Sequence, residues 1–191
     1  MSLFFETLLI KDQKINNLIY HNARLNETIK RNFNIESDID LAKIVKIDSH
    51  KAHRCKVIYD KDIKDIQLFP ILKREFKTFK LIHSDIEYNF KYLNRSYLEN
   101  LYKQREDCDD IIIVKDNLIT DTTIANIAYF DGKDWFTPKT PLLKGSMRAY
   151  LLKNKLLLEK DVKIEDIKNA KKIAIMNAII GFYEIDDFEL R

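Results

Sequence analysis

Apolar and polar positions alternate along this chain with two different periods, and the changes of period mark out its elements. Leu3 to Ile10 is a β-prone apolar run that stops at Lys11-Asp12-Gln13-Lys14, which predicts a strand entering a turn. From Leu18 to Phe33 the apolar residues Leu18, Leu25, Ile29 and Phe33 recur at helical spacing. On that helix His21, Arg24 and Thr28 fall three and four apart and so share a face. A short helix is expected over Ile39 to Val45, followed by strands over Cys55 to Tyr59, Ile66 to Ile71 and Phe76 to Ile82. Ser96 to Arg105 predicts a helix and Asp110 to Val114 a buried strand. Ile119 to Lys139 predicts a meander that turns at Asp131-Gly132. Gly145 to Leu152 suits a loop opening into a helix, Leu156 to Glu159 a strand, Ile164 to Asn169 a helix and Ile173 to Ile180 a last buried strand.

No repeat, low-complexity run or Pro/Gly/Ser linker divides the chain, and its least regular join lies near Ser84 to Asn89. The expected fold class is α/β (α+β) in two small lobes: an N-terminal α/β lobe over residues 1–86 and a C-terminal β-rich lobe with helices over 87–191.

Composition narrows the function classes. Hydrophobic residues make up 46% and charged residues 33% of 191, as in a globular protein. No stretch approaches the roughly 18 uninterrupted apolar residues of a membrane span. The start, Met1-Ser2-Leu3-Phe4-Phe5-Glu6, has no basic segment leading into an apolar run, so the expected location is cytoplasmic. The net charge of +3 is spread over interleaved lysines and acids, with no basic stripe interleaved with aromatics, so no nucleic-acid partner is expected. Cys55 and Cys108 lie far apart and read as free thiols. His21, His50, His53 and His83 lack metal-ligand spacing, the nearest pair being His50-x-x-His53, and no metal is expected. Gly is scarce (3 residues), with neither GxGxxG nor GxxxxGK[ST], which disfavours dinucleotide and P-loop chemistry.

One lysine stands in a distinctive setting. Lys91 follows Tyr88-Asn89-Phe90, precedes Tyr92-Leu93, and sits near the join between the lobes, where cofactor pockets are favoured. Apolar neighbours that desolvate an amine favour its neutral, nucleophilic form.

Lys91-Tyr92-Leu93-Asn94-Arg95 resembles the Lys-x-Leu-Asn-Arg segment of 4-amino-4-deoxychorismate lyase, a fold-type-IV pyridoxal phosphate (PLP) enzyme. Class IV aminotransferases, the branched-chain and D-amino-acid enzymes among them, carry a related segment. Further blocks match in the same order. Phe5-Glu6-Thr7 resembles a Phe-Glu-Thr strand, and His21-x-x-Arg24-Leu25 a His-x-x-Arg-Leu helix. Thr120 to Ile127 resembles a Thr-Glu-x-x-x-x-Asn segment, Trp135 to Pro138 a Thr-Pro strand end, and Gly145-Ser146-Met147-Arg148 a Gly-x-x-Arg loop.

The resemblance implies a fold of two lobes with the cofactor cleft between them, and PLP as cofactor. Lys91 would hold it and act as general base and acid. Arg24 would grip its phosphate, a dianion that a guanidinium fork suits. Gly145, Ser146 and Met147 would add donors at a helix start, with Asn126 organising the same side. Asp121 would keep the pyridine nitrogen protonated. The substrate would be a small-molecule amine or amino acid, and the working form a homodimer.

Departures from the family pattern accompany these matches. Asp121 stands where the family has Glu, one methylene longer. The chain begins almost directly at the Phe-Glu-Thr strand, without a leading hairpin. A Gly- and Arg-rich loop that helps the lyase bind a carboxylate is replaced by Asp60-Lys61-Asp62-Ile63-Lys64-Asp65, with Lys61, His53 or Arg54 as conceivable substitutes. The leading expectation is a lyase that releases pyruvate and forms 4-aminobenzoate. The alternatives are a small class IV aminotransferase, a PLP-binding relative without catalysis, and an α/β interaction domain whose motif matches arise by chance.

Overall fold

The computed structural model describes residues 2–46 and 51–191. His50 lies outside them, so the His50-x-x-His53 spacing is not described; the His53 ring engages the Lys51 carbonyl. Among the described residues no group of acids, histidines and cysteines is arranged to hold a metal, and no helix is long and apolar enough to cross a membrane.

Contacts divide the chain into two compact units, Met1–Lys73 with Phe90–Asn94, and Arg74–Asn89 with Arg95–Arg191. The first is built on β1 (Phe4–Lys11), β2 (Lys14–Ile15), β3 (His53–Tyr59) and β4 (Ile63–Pro70), in the antiparallel order β2-β1-β3-β4. The expected turn is present: Asp12 and Gln13 both adopt positive φ, as a tight two-residue hairpin requires. Period-2 alternation gives the sheet two unlike faces. Phe4, Leu8, Ile10, Cys55, Val57 and Tyr59 are buried, packing with Leu25 and Ile29 of helix α1 (Leu18–Phe33) and Leu41 of α2 (Leu41–Ile44). Each fully buried Leu or Ile of this kind contributes about 1.5–3 kcal/mol. Helix α1 ends where Asn34 turns left-handed and donates its N–H to the Lys30 carbonyl. Residues 90–94 return to β1: the Phe5 N–H donates to the Lys91 carbonyl at 2.9 Å and the Leu93 N–H to the Leu3 carbonyl at 2.8 Å.

The second unit carries a sheet in the order β10-β9-β8-β7-β6-β5-β13, with β11 also paired to β8 and β12 to β11. Its strands are β5 (Thr78–His83), β6 (Asp110–Lys115), β7 (Leu118–Thr122), β8 (Asn126–Phe130), β9 (Trp135–Pro138), β10 (Leu158–Lys160), β11 (Lys172–Asn177), β12 (Gly181–Ile185) and β13 (Glu189–Leu190). Helices α3 (Ser96–Tyr102), α4 (Ser146–Lys153) and α5 (Ile164–Lys168) lie between them in sequence. Phe79, Ile112, Ile119, Ile127, Ile173 and Ile175 form the core.

Local hydrogen bonds override the periodicity in a few places. Residues 74–86, grouped by the sequence with the first lobe, belong to the second unit because β5 pairs in parallel with β6. The helix expected over Ser96 to Arg105 stops at Tyr102 and finishes as a 3-10 turn over Lys103–Arg105. The strand expected over Ile173 to Ile180 stops at Asn177, and a further strand follows the turn. The Asn177 side-chain oxygen accepts the N–H groups of Ile179 (2.8 Å) and Ile180 (3.0 Å), which turns the chain, and Gly181 at φ 70° starts β12.

Candidate active site

In the first unit a carboxylate sits amid an apolar strand. Glu6 shares the α1-facing side of β1 with Phe4 and Leu8 and is fully buried, so its charge needs partners. Arg24 provides a fork, with Nε 2.8 Å from Oε1 and Nη2 2.5 Å from Oε2, and His21 Nδ1 lies 2.6 Å from Oε2. Burial alone would raise the Glu6 pKa, but the Arg24 charge and the hydrogen bonds from His21 and Arg24 outweigh it and hold it at about 2. Burial pushes the His21 pKa down, and Glu6 opposes that only in part. A neutral ring facing an ionised carboxylate must carry its hydrogen on Nδ1.

The other sheet face is half open. Phe5 and Thr7 of β1 stand there with Arg54, Lys56 and Ile58 of β3, through the pairs Phe5↔Ile58, Thr7↔Lys56 and Leu9↔Arg54. Tyr92 bridges Phe4 and stacks against it on the α1 side, which turns Lys91 to the open face. The Lys91 ammonium lies 4.8 Å from the Phe5 ring centre and that of Lys56 5.1 Å, so the two nitrogens are at most about 10 Å apart.

In the second unit Asp121 and Asn126 form the only paired register between β7 and β8. Asn126 Nδ2 donates to Asp121 Oδ1 and to the Leu143 carbonyl, both at 2.7 Å, and the Leu143 N–H donates to Asp121 Oδ2 at 2.9 Å. Burial lifts the Asp121 pKa to about 7, against the lowering effect of these hydrogen bonds and of Arg148. A Cβ on Gly145 would stand 2.1 Å from Asn126 Oδ1, so only glycine lets the start of α4 approach this amide. Ser146 and Met147 then open α4, where N–H groups point outward and the helix dipole favours an anion. Arg148, buried, ties α4 to its surroundings by donating to the Pro138 carbonyl (2.8 Å) and Glu159 (2.6 Å).

Residues 80–188 match the family described as amino-transferase class IV. An uncharacterized protein of Haemophilus influenzae is 36% identical over 186 residues, covering 93% of this chain and 97% of that one. This chain belongs to the class IV aminotransferase family. Its fold agrees with the crystal structure of a "putative 4-amino-4-deoxychorismate lyase" from Haemophilus somnus, at TM-score 0.88 and 32% identity over 95% of this chain and 98% of that one. A hypothetical aminotransferase of Mycobacterium tuberculosis in a PLP-bound form shares the fold alone, at TM-score 0.79 and 14% identity over 99% of this chain and 81% of that one. The mixed α/β class with two sheets is therefore that of the fold-type-IV enzymes, and PLP is the cofactor of this family.

As a class IV member, the chain presents the expected residues in two groups. Arg24 and Lys91 lie in the first unit; Asp121, Asn126, Gly145, Ser146 and Met147 lie in the second, where Asp121, Asn126 and Gly145 are in immediate contact. The donor set suits PLP. In the second unit a buried acid at about 7 is poised to ionise beside a cation, which a protonated ring nitrogen is, and a helix start suits an anion; in the first unit the guanidinium of Arg24 suits a phosphate. Sequence reasoning passed over Lys56 and gave Glu6 no role. Both were readable in principle: Glu6 as a charge at an inward position of an apolar strand, Lys56 from the alternation of β3. Of the suggested carboxylate binders, Lys61 is exposed in the β3–β4 turn, and the Arg54 guanidinium lies 4.5 Å over the Phe69 ring.

Proposed function

We propose that this chain is a PLP-dependent enzyme of the 4-amino-4-deoxychorismate lyase kind, releasing pyruvate to leave 4-aminobenzoate. The observation that carries the reading is the placement of Lys91 on the open face of the first sheet, beside Phe5 and within about 10 Å of a second cation, Lys56. The name of the Haemophilus somnus relative supports the same choice.

Lys91 would hold the cofactor through its side-chain nitrogen, and as a free amine it would move protons at the substrate's amine-bearing carbon. Arg24, held by Glu6, would offer its guanidinium to the phosphate, and the start of α4 at Gly145, Ser146 and Met147 would offer N–H donors to an anion. Asn126 sets the position of that helix start through its contact with Gly145. Asp121 would accept a hydrogen bond from the protonated pyridine nitrogen. Lys56 faces a substrate carboxylate. When bound, the cofactor serves as the electron sink that makes the substrate's amine-bearing carbon acidic. In the lyase reaction the Lys91 amine removes the proton that triggers loss of pyruvate, and its ammonium returns one at the end. The homodimer implied by the resemblance belongs to this reading and is checked by sedimentation.

A second reading, amine exchange between an amino acid and a 2-oxo acid, is favoured by the short Asp60-Lys61-Asp62 turn standing where the lyase has its Gly- and Arg-rich loop. The first experiment records visible spectra of the protein and of Lys91→Ala with added PLP, followed by borohydride reduction and peptide mass analysis. Cofactor fixed on the peptide containing Lys91, and lost in the variant, supports the lysine assignment; equal labelling of both proteins rejects it. Turnover then separates the readings. Pyruvate formed without an acceptor marks the lyase, strict dependence on a 2-oxo acid marks the aminotransferase, and PLP binding without turnover marks a non-catalytic relative.

A further inference from the structure

The β7–β8 hairpin has an uncommon construction. Its strands share one paired register, Asp121 with Asn126, so the ladder does little to fix those two side chains. The connecting turn closes on itself: the Thr122 N–H donates to the Ala125 carbonyl at 2.9 Å, and the Ala125 N–H to Thr122 Oγ1 at 3.2 Å. Side chains from elsewhere in the second unit then pin its tip. Thr123 Oγ1 donates to Asp110 Oδ1 at 2.7 Å, Arg95 Nη2 donates to the Thr123 carbonyl, and Asn177 Nδ2 donates to the Ile124 carbonyl at 3.2 Å.

Asp110 is costly to bury, and half-buried Arg95 carries a buried nitrogen. Asp110 is 1% exposed, and its Oδ2 has no hydrogen-bond partner among the described residues; nor does the buried Nε of Arg95. Charged groups left partly unsatisfied weaken a fold, and they persist where holding one geometry matters more than the loss. What they hold here is Thr123, two residues from Asp121 and three from Asn126. A turn pinned only by its own hydrogen bonds would let both feet of the hairpin shift by tenths of an ångström, enough to spoil a charge-assisted hydrogen bond.

We propose that Arg95 and Asp110 are positioning residues that clamp Thr123 from both sides and thereby aim the Asp121 carboxyl at a cationic ring nitrogen. The inference rests on the proposed role of Asp121. It adds that the arginine closing the Lys91–Arg95 segment acts on the turn rather than on substrate.

The test compares binding of PLP with binding of its 1-deaza analogue, which has carbon in place of the ring nitrogen. The proteins are the parent, Thr123→Val, Thr123→Ser, Arg95→Lys and Asp110→Ala. In the parent, the contact to Asp121 should favour PLP by at least about tenfold. Thr123→Val, equal in size but without the hydroxyl, should lose most of that preference while its affinity for the deaza analogue stays within about twofold. Arg95→Lys and Asp110→Ala, which removes the oxygen that accepts from Thr123, should do the same, and Thr123→Ser, which keeps the hydroxyl, should retain the preference. General unfolding would weaken both ligands together, so a variant that loses them in parallel counts against a positioning role. A parent that prefers PLP, with Val, Lys and Ala variants that keep the preference, overturns the clamp alone. A parent with no preference overturns the clamp together with the role of Asp121.

Discussion

Replacing Glu6 with Gln removes the charge on which the first unit's buried polar cluster depends. A carboxyl held at about 2 against an ordinary value of 4.5 contributes about 3 kcal/mol at neutral pH. The sign follows from the lowered pKa: this stability is fully present above 4.5 and drains away as pH falls towards 2. Gln also leaves the Arg24 guanidinium, only 15% exposed, without its counter-charge, a loss of about 3–5 kcal/mol when a buried pair is broken on one side. The expected gap between parent and Glu6→Gln is therefore about 3–5 kcal/mol at pH 7, narrowing by about 2 kcal/mol at pH 3. Urea unfolding read by pulse-labelled hydrogen exchange at the β1 and α1 amides reports the first unit by itself. A gap under about 1 kcal/mol at pH 7, or one that is equal at both pH values, would refute the reasoning.

Three further outcomes are expected. Gly145→Ala puts a Cβ 2.1 Å from Asn126 Oδ1, and Asn126 is tied at two points, so overpacking should cost about 1–3 kcal/mol and weaken PLP binding; thermal melting and PLP titration read the two effects. Lys56→Gln should raise KM for a carboxylate-bearing amine about tenfold with kcat and melting temperature nearly unchanged, since Lys56 stands on the half-open face. Asp121, raised from 3.8 to about 7, holds a proton in the folded state that the unfolded chain has lost, so it should make the cofactor-free second unit less stable by about 4 kcal/mol as pH rises across that window. Asp121→Asn should flatten this slope, read by fluorescence of the single tryptophan, Trp135; equal slopes would contradict it.

The elements that local pattern could decide were legible before the structure. The α1 periodicity gives a helix over Leu18–Phe33 as expected, and the Asp131-Gly132 turn is present with Gly132 at φ 111°. The path of residues 90–94 was not legible, because it depends on backbone hydrogen bonds to Leu3 and Phe5, far away in sequence, and not on any period of its own. The break at Asn177 was hidden for the opposite reason: Asn177 diverts the chain inside an apolar run that reads as continuous strand. Lys56 fell between the two cases. Alternation along β3 assigns its face, but only the return of Lys91 to β1 makes that face one that gathers cations.

The buried acids Glu6 and Asp121 differ in what their own unit supplies. Glu6 meets a guanidinium built into the fold, so its ionised form is complete without any ligand. Asp121 meets the neutral Asn126 amide and the Leu143 N–H, while the cation that acts on it through space, Arg148, spends its Nη2 on Pro138 and Glu159. Its ionised form therefore lacks a charge-assisted partner, and a ligand bearing a buried positive nitrogen would provide one. Binding would then stabilise the second unit by mass action with an affinity that depends on pH, most strongly above about pH 7, where the unliganded acid must ionise in an unfavourable setting. A melting shift caused by saturating PLP that grows from pH 5 to pH 8 in the parent, and stays level in Asp121→Asn, is the behaviour this difference requires.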